Sequence, residues 1–161
     1  MKKINRIAIL IFLALFSVNG FCEDTATEKK AVYNLTTGDV ETIEKRLIGS
    51  IISNSDYYQS KLQEYKVIVV IHGDAYKFFM KDLNNTAYAF DSKLLEKKTE
   101  LGKRLSSLSK FYDVKFEVCE VGIKNRHLKP KAFYPYVDMV HNAIIGLVDA
   151  QNDGYAYISI D

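Results

Sequence analysis

The sequence predicts an α/β domain with a mainly parallel sheet and helices on both faces. Three observations carry this. Lys66 to Ile71 reads KVIVVI, a continuous β-branched run that suits a strand buried on both faces. Val40, Ile43, Leu47, Ile48, Ile51 and Ile52 recur with the period of an amphipathic helix. Strands and helices then alternate in the order β-α-β-α-α-β-α-β-α-β, the pattern of parallel strands joined by crossover helices.

The chain has 161 residues, enough for one domain with a real core. Residues 1–22 are expected to be a secretory signal peptide. Lys2, Lys3 and Arg6 make a positive start, Ile7 to Phe16 an apolar run, and Ser17 to Gly20 a small or polar exit. Cleavage falls after Gly20 or after Cys22. Phe21 stands where a lipoprotein signal ending at Cys22 would need a small residue. The apolar run is too short to span a bilayer, so no stable membrane insertion is expected after cleavage. The expected location is periplasmic or secreted.

Removing the signal takes three of the 22 basic residues and none of the 20 acidic ones, so the net charge moves from +2 to −1. A chain without a basic excess is not expected to bind nucleic acid. Only two cysteines occur. A Cys22–Cys119 bridge would tie a terminal leader to a strand end and is not expected. A single remaining thiol in an exported chain is a candidate for pairing between chains or for reaction.

Residues 23–30 are expected to be a flexible leader and residues 31–161 a single domain. Ala31 to Leu35 forms a first strand, and Thr37 or Asp39 caps the helix that follows. Gly73 permits a tight turn after the KVIVVI strand. Asp74 is expected to cap a short helix, Ala75 to Met80. Lys81 to Asp91 is a loop, with Tyr88 and Phe90 either tucked beneath it or exposed. Ser92 to Lys110 is helical, with Leu94, Leu95, Leu101, Leu105 and Leu108 inward. Val114, Phe116 and Val118 alternate with Lys115 and Glu117 in a strand that ends at Cys119, and a short helix follows. Tyr136 to Val140 is a strand. His141 to Gln151 is a helix with Ile144, Leu147 and Val148 inward and Gly154 at its end. Tyr155 to Ile160 is the last strand.

Chemistry is expected at the strand ends, because ligands of open α/β folds collect at the carboxyl edge of the sheet. Cys119 is the candidate nucleophile, since a thiol near a helix start is favoured as thiolate. The competing reading is a small core filler, the usual role of a lone cysteine. His72 is a candidate base or positioning group, although a histidine at such a turn commonly bonds backbone. Gly73, His141 and Asn142 are candidate binding positions, the last two also serving as helix-start residues. His127 complements the end of the helix after Cys119. There is no CxxC pair, zinc spacing, G-x-S-x-G elbow or P-loop, and Gly38 alone makes no dinucleotide fingerprint. No metal or cofactor is expected.

Three segments, VIVVIHGDAYKFFM, VKFEVCEVGIKNRHL and YPYVDMVHNAIIGLVDAQNDGYAYISI, resemble the DsrE/DsrF-like family of sulfur-relay proteins, most closely its exported branch. The resemblance runs from about Ala31 to the C-terminus. It implies a three-layer α/β/α sandwich with a five-stranded, mainly parallel sheet, and a homo-oligomer, trimer or hexamer. It also implies that Cys119, matching the cysteine of the sulfur-carrying members, accepts sulfur as a persulfide and passes it on between donor and acceptor proteins. Glu120 opposes thiolate formation there, while Lys124 and Arg126 favour it. The alternative is a non-enzymatic oligomeric module of the same fold that binds a small ligand or a partner. A flavodoxin-like cofactor protein is a third reading, dismissed by a colourless purified protein.

Overall fold

The computed structural model describes residues 28–161. The expected signal peptide, both cleavage sites and Cys22 lie outside the described residues. Five strands, β1 (Lys29–Leu35), β2 (Tyr65–Ile71), β3 (Lys115–Cys119), β4 (Val137–Val140) and β5 (Ala156–Ile160), form one sheet in the order β4-β3-β2-β1-β5. Every pairing is parallel, with Leu35 opposite Ile71, Ile71 opposite Val118 and Cys119 opposite Val140. All five carboxyl ends therefore share one edge. The KVIVVI run lies in β2, between β1 and β3, with Val67, Val69, Val70 and Ile71 buried.

The strand order dictates the layers. From β1 to β4 the chain steps one way across the sheet, and from β4 to β5 it crosses back past β1. Right-handed crossovers place the first connections on one face and the last on the other. Helices α1 (residues 40–59) and α2 (Ser92–Phe111) pack together on the first face. A short α3 (Glu120–Asn125) follows β3, and α4 (Ala143–Asn152) lies across all five strands on the second face. The expected α/β/α sandwich is present.

Local chemistry explains the helix starts. Asp39 Oδ2 accepts from Thr42 N at 2.8 Å and opens α1, whose middle turn, Ile43–Gly49, is a π-helix. Thr37 caps Asp39 instead, its Oγ1 accepting from Asp39 N at 3.1 Å. Ile43, Leu47, Ile48 and Ile51 form the buried stripe of α1. Asp91 Oδ1 accepts from Leu94 N at 3.0 Å and opens α2, which buries Leu94, Leu101, Leu105 and Leu108.

Several expectations need correction. Lys29 and Lys30 belong to β1, paired with Tyr65 and Lys66, and not to a leader. Their long charged side chains stay partly exposed at the strand start, which hides the strand from a hydrophobicity pattern. The segment after β2 is a 3-10 helix, Gly73–Phe79, and Asp74 does not cap it, being ion-paired with Arg126 at 3.0 Å. Leu95 is half exposed, beyond the edge of the α2 stripe. Tyr88 is tucked in and Phe90 exposed.

The largest correction concerns α4. Ile144 is 73% exposed and Val148 also faces out, while Ala143, Gly146 and Ala150 face the sheet. A Cβ on Gly146 would lie 3.0 Å from Glu117 Oε2 and 3.4 Å from Val70 Cγ2 and Val140 Cγ2. Small residues let the helix settle close to the strands, and that turns its large residues outward. Glu117, on the face of β3 opposite Phe116 and Val118, is thereby 9% exposed beneath α4, with Oε1 2.6 Å from Lys115 Nζ. Among the described residues no helix is long and apolar enough to cross a membrane.

Candidate functional site

The candidate site forms at the carboxyl edge, where β1, β2 and β3 end side by side. Two loops meet there at close range. Gly73 has φ +63° and passes so near Thr36 that a Cβ would lie 3.0 Å from its carbonyl oxygen. A side chain would be strained there on both counts. Asp74 N donates to the Thr36 carbonyl at 3.0 Å and His72 N to the Leu35 carbonyl at 3.0 Å, which pins the β2 exit to the β1 exit. Gly73 therefore serves the turn, and no direct ligand contact is needed to explain it.

Cys119 ends β3 and is the residue immediately before α3. It is the free cysteine of the described residues and is 6% exposed. The connections leaving β3 and β4 part towards opposite faces beside it, the kind of divergence at which α/β sheets open a crevice. Val121 N donates to the His141 carbonyl at 3.3 Å, tying the start of α3 to the exit of β4.

Tyr76 closes over this corner. Its hydroxyl donates to the Cys119 carbonyl oxygen at 3.1 Å within the protein interior. Burial pushes the phenol well above its ordinary range, and the charge and hydrogen bonding of Cys119 push it the same way. The phenol thus stays neutral beside Cys119, with its one proton given to the Cys119 carbonyl oxygen. Gly122 makes room for that hydroxyl, since a Cβ there would lie 1.8 Å from Tyr76 Oη. Arg126 stands behind the phenol, 5.8 Å from its ring centroid. The guanidinium also donates to Tyr88 Oη at 3.0 Å and pairs with Asp74, so one cation fastens α3 to the 3-10 helix and to the loop before α2.

His72 sits on β2 one place beyond Ile71, whose partner Val118 immediately precedes Cys119. Its ring turns towards β1. His72 Nε2 lies 2.6 Å from Asn34 Oδ1, and Asn34 Nδ2 donates to Tyr157 Oη at 2.8 Å. With Asn34 Oδ1 facing the ring, Nε2 is the donor of that bond and the lone pair falls on Nδ1. Burial lowers the pKa of His72, opposed by the Asp161 carboxylate, so the ring is neutral at pH 7. No Cys119–His72 hydrogen bond is formed in this arrangement.

Asn142 caps α4, its Oδ1 accepting from Ile145 N at 2.9 Å, and His141 is exposed at the β4 exit. Both act as the helix-start residues that their positions suggest. His127 adopts a left-handed conformation, φ 52°, just past α3. The structure therefore gathers Cys119, His72 and Gly73 at one edge and leaves His141 at its rim. Asn34, Tyr76, Tyr88, Gly122 and Tyr157 escape a sequence reading, because each matters only through a neighbour far away in the chain. Gly122, early in a helix that gains nothing from it, is the one visible signal. Among the described residues no group of three or more His, Cys, Asp or Glu is placed to hold a metal ion.

Comparison with known proteins places these features in context. An uncharacterised protein of Aquifex aeolicus (strain VF5) is 26% identical over 133 residues, covering 83% of this chain and 56% of the relative. The chain thus spans little more than half the length of that curated relative. A solved structure of a protein of unknown function from Methanobacterium thermoautotrophicum matches with a TM-score of 0.56 at 19% identity, covering 81% of this chain and 98% of the other. It shares the fold. The model of the DsrE/DsrF-like family matches residues 29–160, and the chain belongs to that family.

Proposed function

We propose that this chain is an exported sulfur-relay protein that carries sulfur as a persulfide on Cys119. The observation that supports it is the placement of the thiol, at the end of β3 beside a proton-retaining phenol. The Cys119 thiolate attacks the outer sulfur of a donor persulfide. A sulfur–sulfur bond forms to Cys119, the donor's own sulfur–sulfur bond breaks, and the donor leaves as a thiolate. An acceptor thiolate then attacks the outer sulfur and releases Cys119 as the thiolate, with no net oxidation. Tyr76, its hydroxyl donated to the Cys119 carbonyl oxygen, holds the end of β3 that carries the sulfur in both steps. His72, neutral and held to Asn34 at the neighbouring strand end, is the proposed base for the thiol proton, and its ring must turn from Asn34 towards β3 to reach it.

Export rests on the pattern of residues 1–22, and cell fractionation of a tagged chain tests it. A homo-oligomer is part of the same reading, supported by the outward apolar residues of α4. The deciding experiment is mass spectrometry of the reduced protein after incubation with a sulfane donor. A one-sulfur adduct that disappears in Cys119→Ser supports the relay, and its absence removes it.

A second reading has its own observation. At 6% exposure Cys119 is close to a core residue. A module of this fold that binds a partner without reacting would show no thiol titration in the folded state and unchanged partner binding in Cys119→Ala.

A further inference from the structure

Away from the Cys119 site, a groove of about 910 Å³ runs along α2. That volume is within the range of small-molecule sites. Its two walls differ. One is a stripe of α2 with no large apolar side chain, formed by Thr99, Gly102, Lys103, Ser106 and Lys110. The other is Tyr134-Pro135-Tyr136, the segment leading into β4. The two tyrosine rings are stacked at 5.3 Å with only 10° between their planes. Gly102 lets Tyr134 lie against the helix, since a Cβ there would be 2.7 Å from Tyr134 Oη. Phe111 closes the far end.

The charges are of one sign. Lys81, Lys98, Lys103 and Lys110 line the groove, and among the described residues none of them is ion-paired. Lys98 is held in place, its ammonium donating to the Met80 carbonyl and standing 5.6 Å from the Tyr134 ring centroid. Tyr136 Oη is buried and has no hydrogen-bond partner among the described residues, an unusual state for a phenol. Its ring is fixed from behind by Phe116 at 5.8 Å. Hydroxyls and ammonium groups on one wall, and on the other an aromatic pair that includes an unsatisfied phenol, form a coherent set.

We propose that this groove binds a small aromatic anion, its ring packing against the Tyr134–Tyr136 pair and its carboxylate or phosphate facing the lysines of α2. Stacking supplies the apolar contact, and the uncompensated lysines select the charge. The site shares no residue with the Cys119 corner, so it stands or falls separately from sulfur relay.

The test uses 2-naphthoate as the probe, with neutral 2-naphthamide as control, followed by amide NMR shifts on the folded protein. Saturable naphthoate binding is expected, with shifts centred on residues 98–111 and 133–137. The amide should bind at least ten-fold more weakly. Lys103 and Lys110 are exposed, so the double variant Lys103→Gln/Lys110→Gln will fold, and it should weaken naphthoate at least five-fold. Lys98→Met should do the same. No saturable shifts at millimolar naphthoate, equal binding of the amide, or undiminished binding by both variants would each overturn the proposal.

Discussion

The two faces of the sheet are built by opposite means. On the α1–α2 face, large side chains meet large side chains: Ile43, Leu47, Leu101 and Leu105 are buried in one cluster with Phe116 and Val118. On the α4 face, Ala143, Gly146 and Ala150 bring a short helix down onto Val70, Val140 and a buried Glu117. The first arrangement stabilises through apolar area removed from water. The second gains close approach, covers the Glu117 carboxylate, and turns Ile144 and Val148 to the outside. Stability should therefore reside mostly in one face, while the other is free to carry polar chemistry and contacts.

The contrast can be broken most severely at Leu105. It is fully buried, so Leu105→Ala should cost about 2–5 kcal/mol, read from urea unfolding. A loss well under 1 kcal/mol would mean that the α2 face is not the main core. Next comes the corner that joins the faces. Gly122→Ala places a methyl 1.8 Å from Tyr76 Oη and should cost about 1–3 kcal/mol of overpacking. It should also slow persulfidation of Cys119, because the phenol must move.

Tyr76→Phe leaves the Cys119 carbonyl without its donor and should cost about 1–2 kcal/mol. If the phenol serves the sulfur, the same variant lowers the persulfidation rate more than it lowers the melting temperature.

A smaller effect is set by pH. The folded-state pKa of His72 is depressed below the ordinary 6.5 by burial. The unfolded chain therefore binds more protons in the window below 6.5, and stability falls as pH drops through it. The contribution is fully present above pH 6.5. The lowered carboxylates Asp39, Asp91 and Asp161 act only further down, around and below the ordinary carboxylate value of 3.8. His72→Gln should flatten the slope between pH 6.5 and 5, as seen in denaturant midpoints. An unchanged slope would mean that the ring is not held neutral.

The smallest effect on stability belongs to the outer surface of α4. Ile144→Ser should change monomer stability by no more than about 0.5 kcal/mol. If this surface joins copies of the chain, the variant will lower the mass seen by light scattering. An unchanged mass would place any oligomer contact elsewhere.

Much of the architecture was legible because it rests on short-range pattern. The β-branched run of β2, the apolar stripe of α1 and the alternation along β3 each show their period within a few residues. So does the placement of Cys119 and His72 at strand ends. The α4 helix was misjudged for the same reason. Its apolar content is high on every side, so periodicity alone could not say which side faces inward, and the larger residues looked like the core.

Strand composition and helix periodicity, local properties carried by neighbouring residues, were enough to settle that this chain makes a parallel α/β sheet and that one thiol ends a strand. Only the tertiary structure decided the strand order, the burial of Glu117, and the gathering of Tyr76, Gly122 and Arg126 around Cys119. Those contacts join residues tens of positions apart, and their partners are chosen by close packing between elements, which no local pattern encodes.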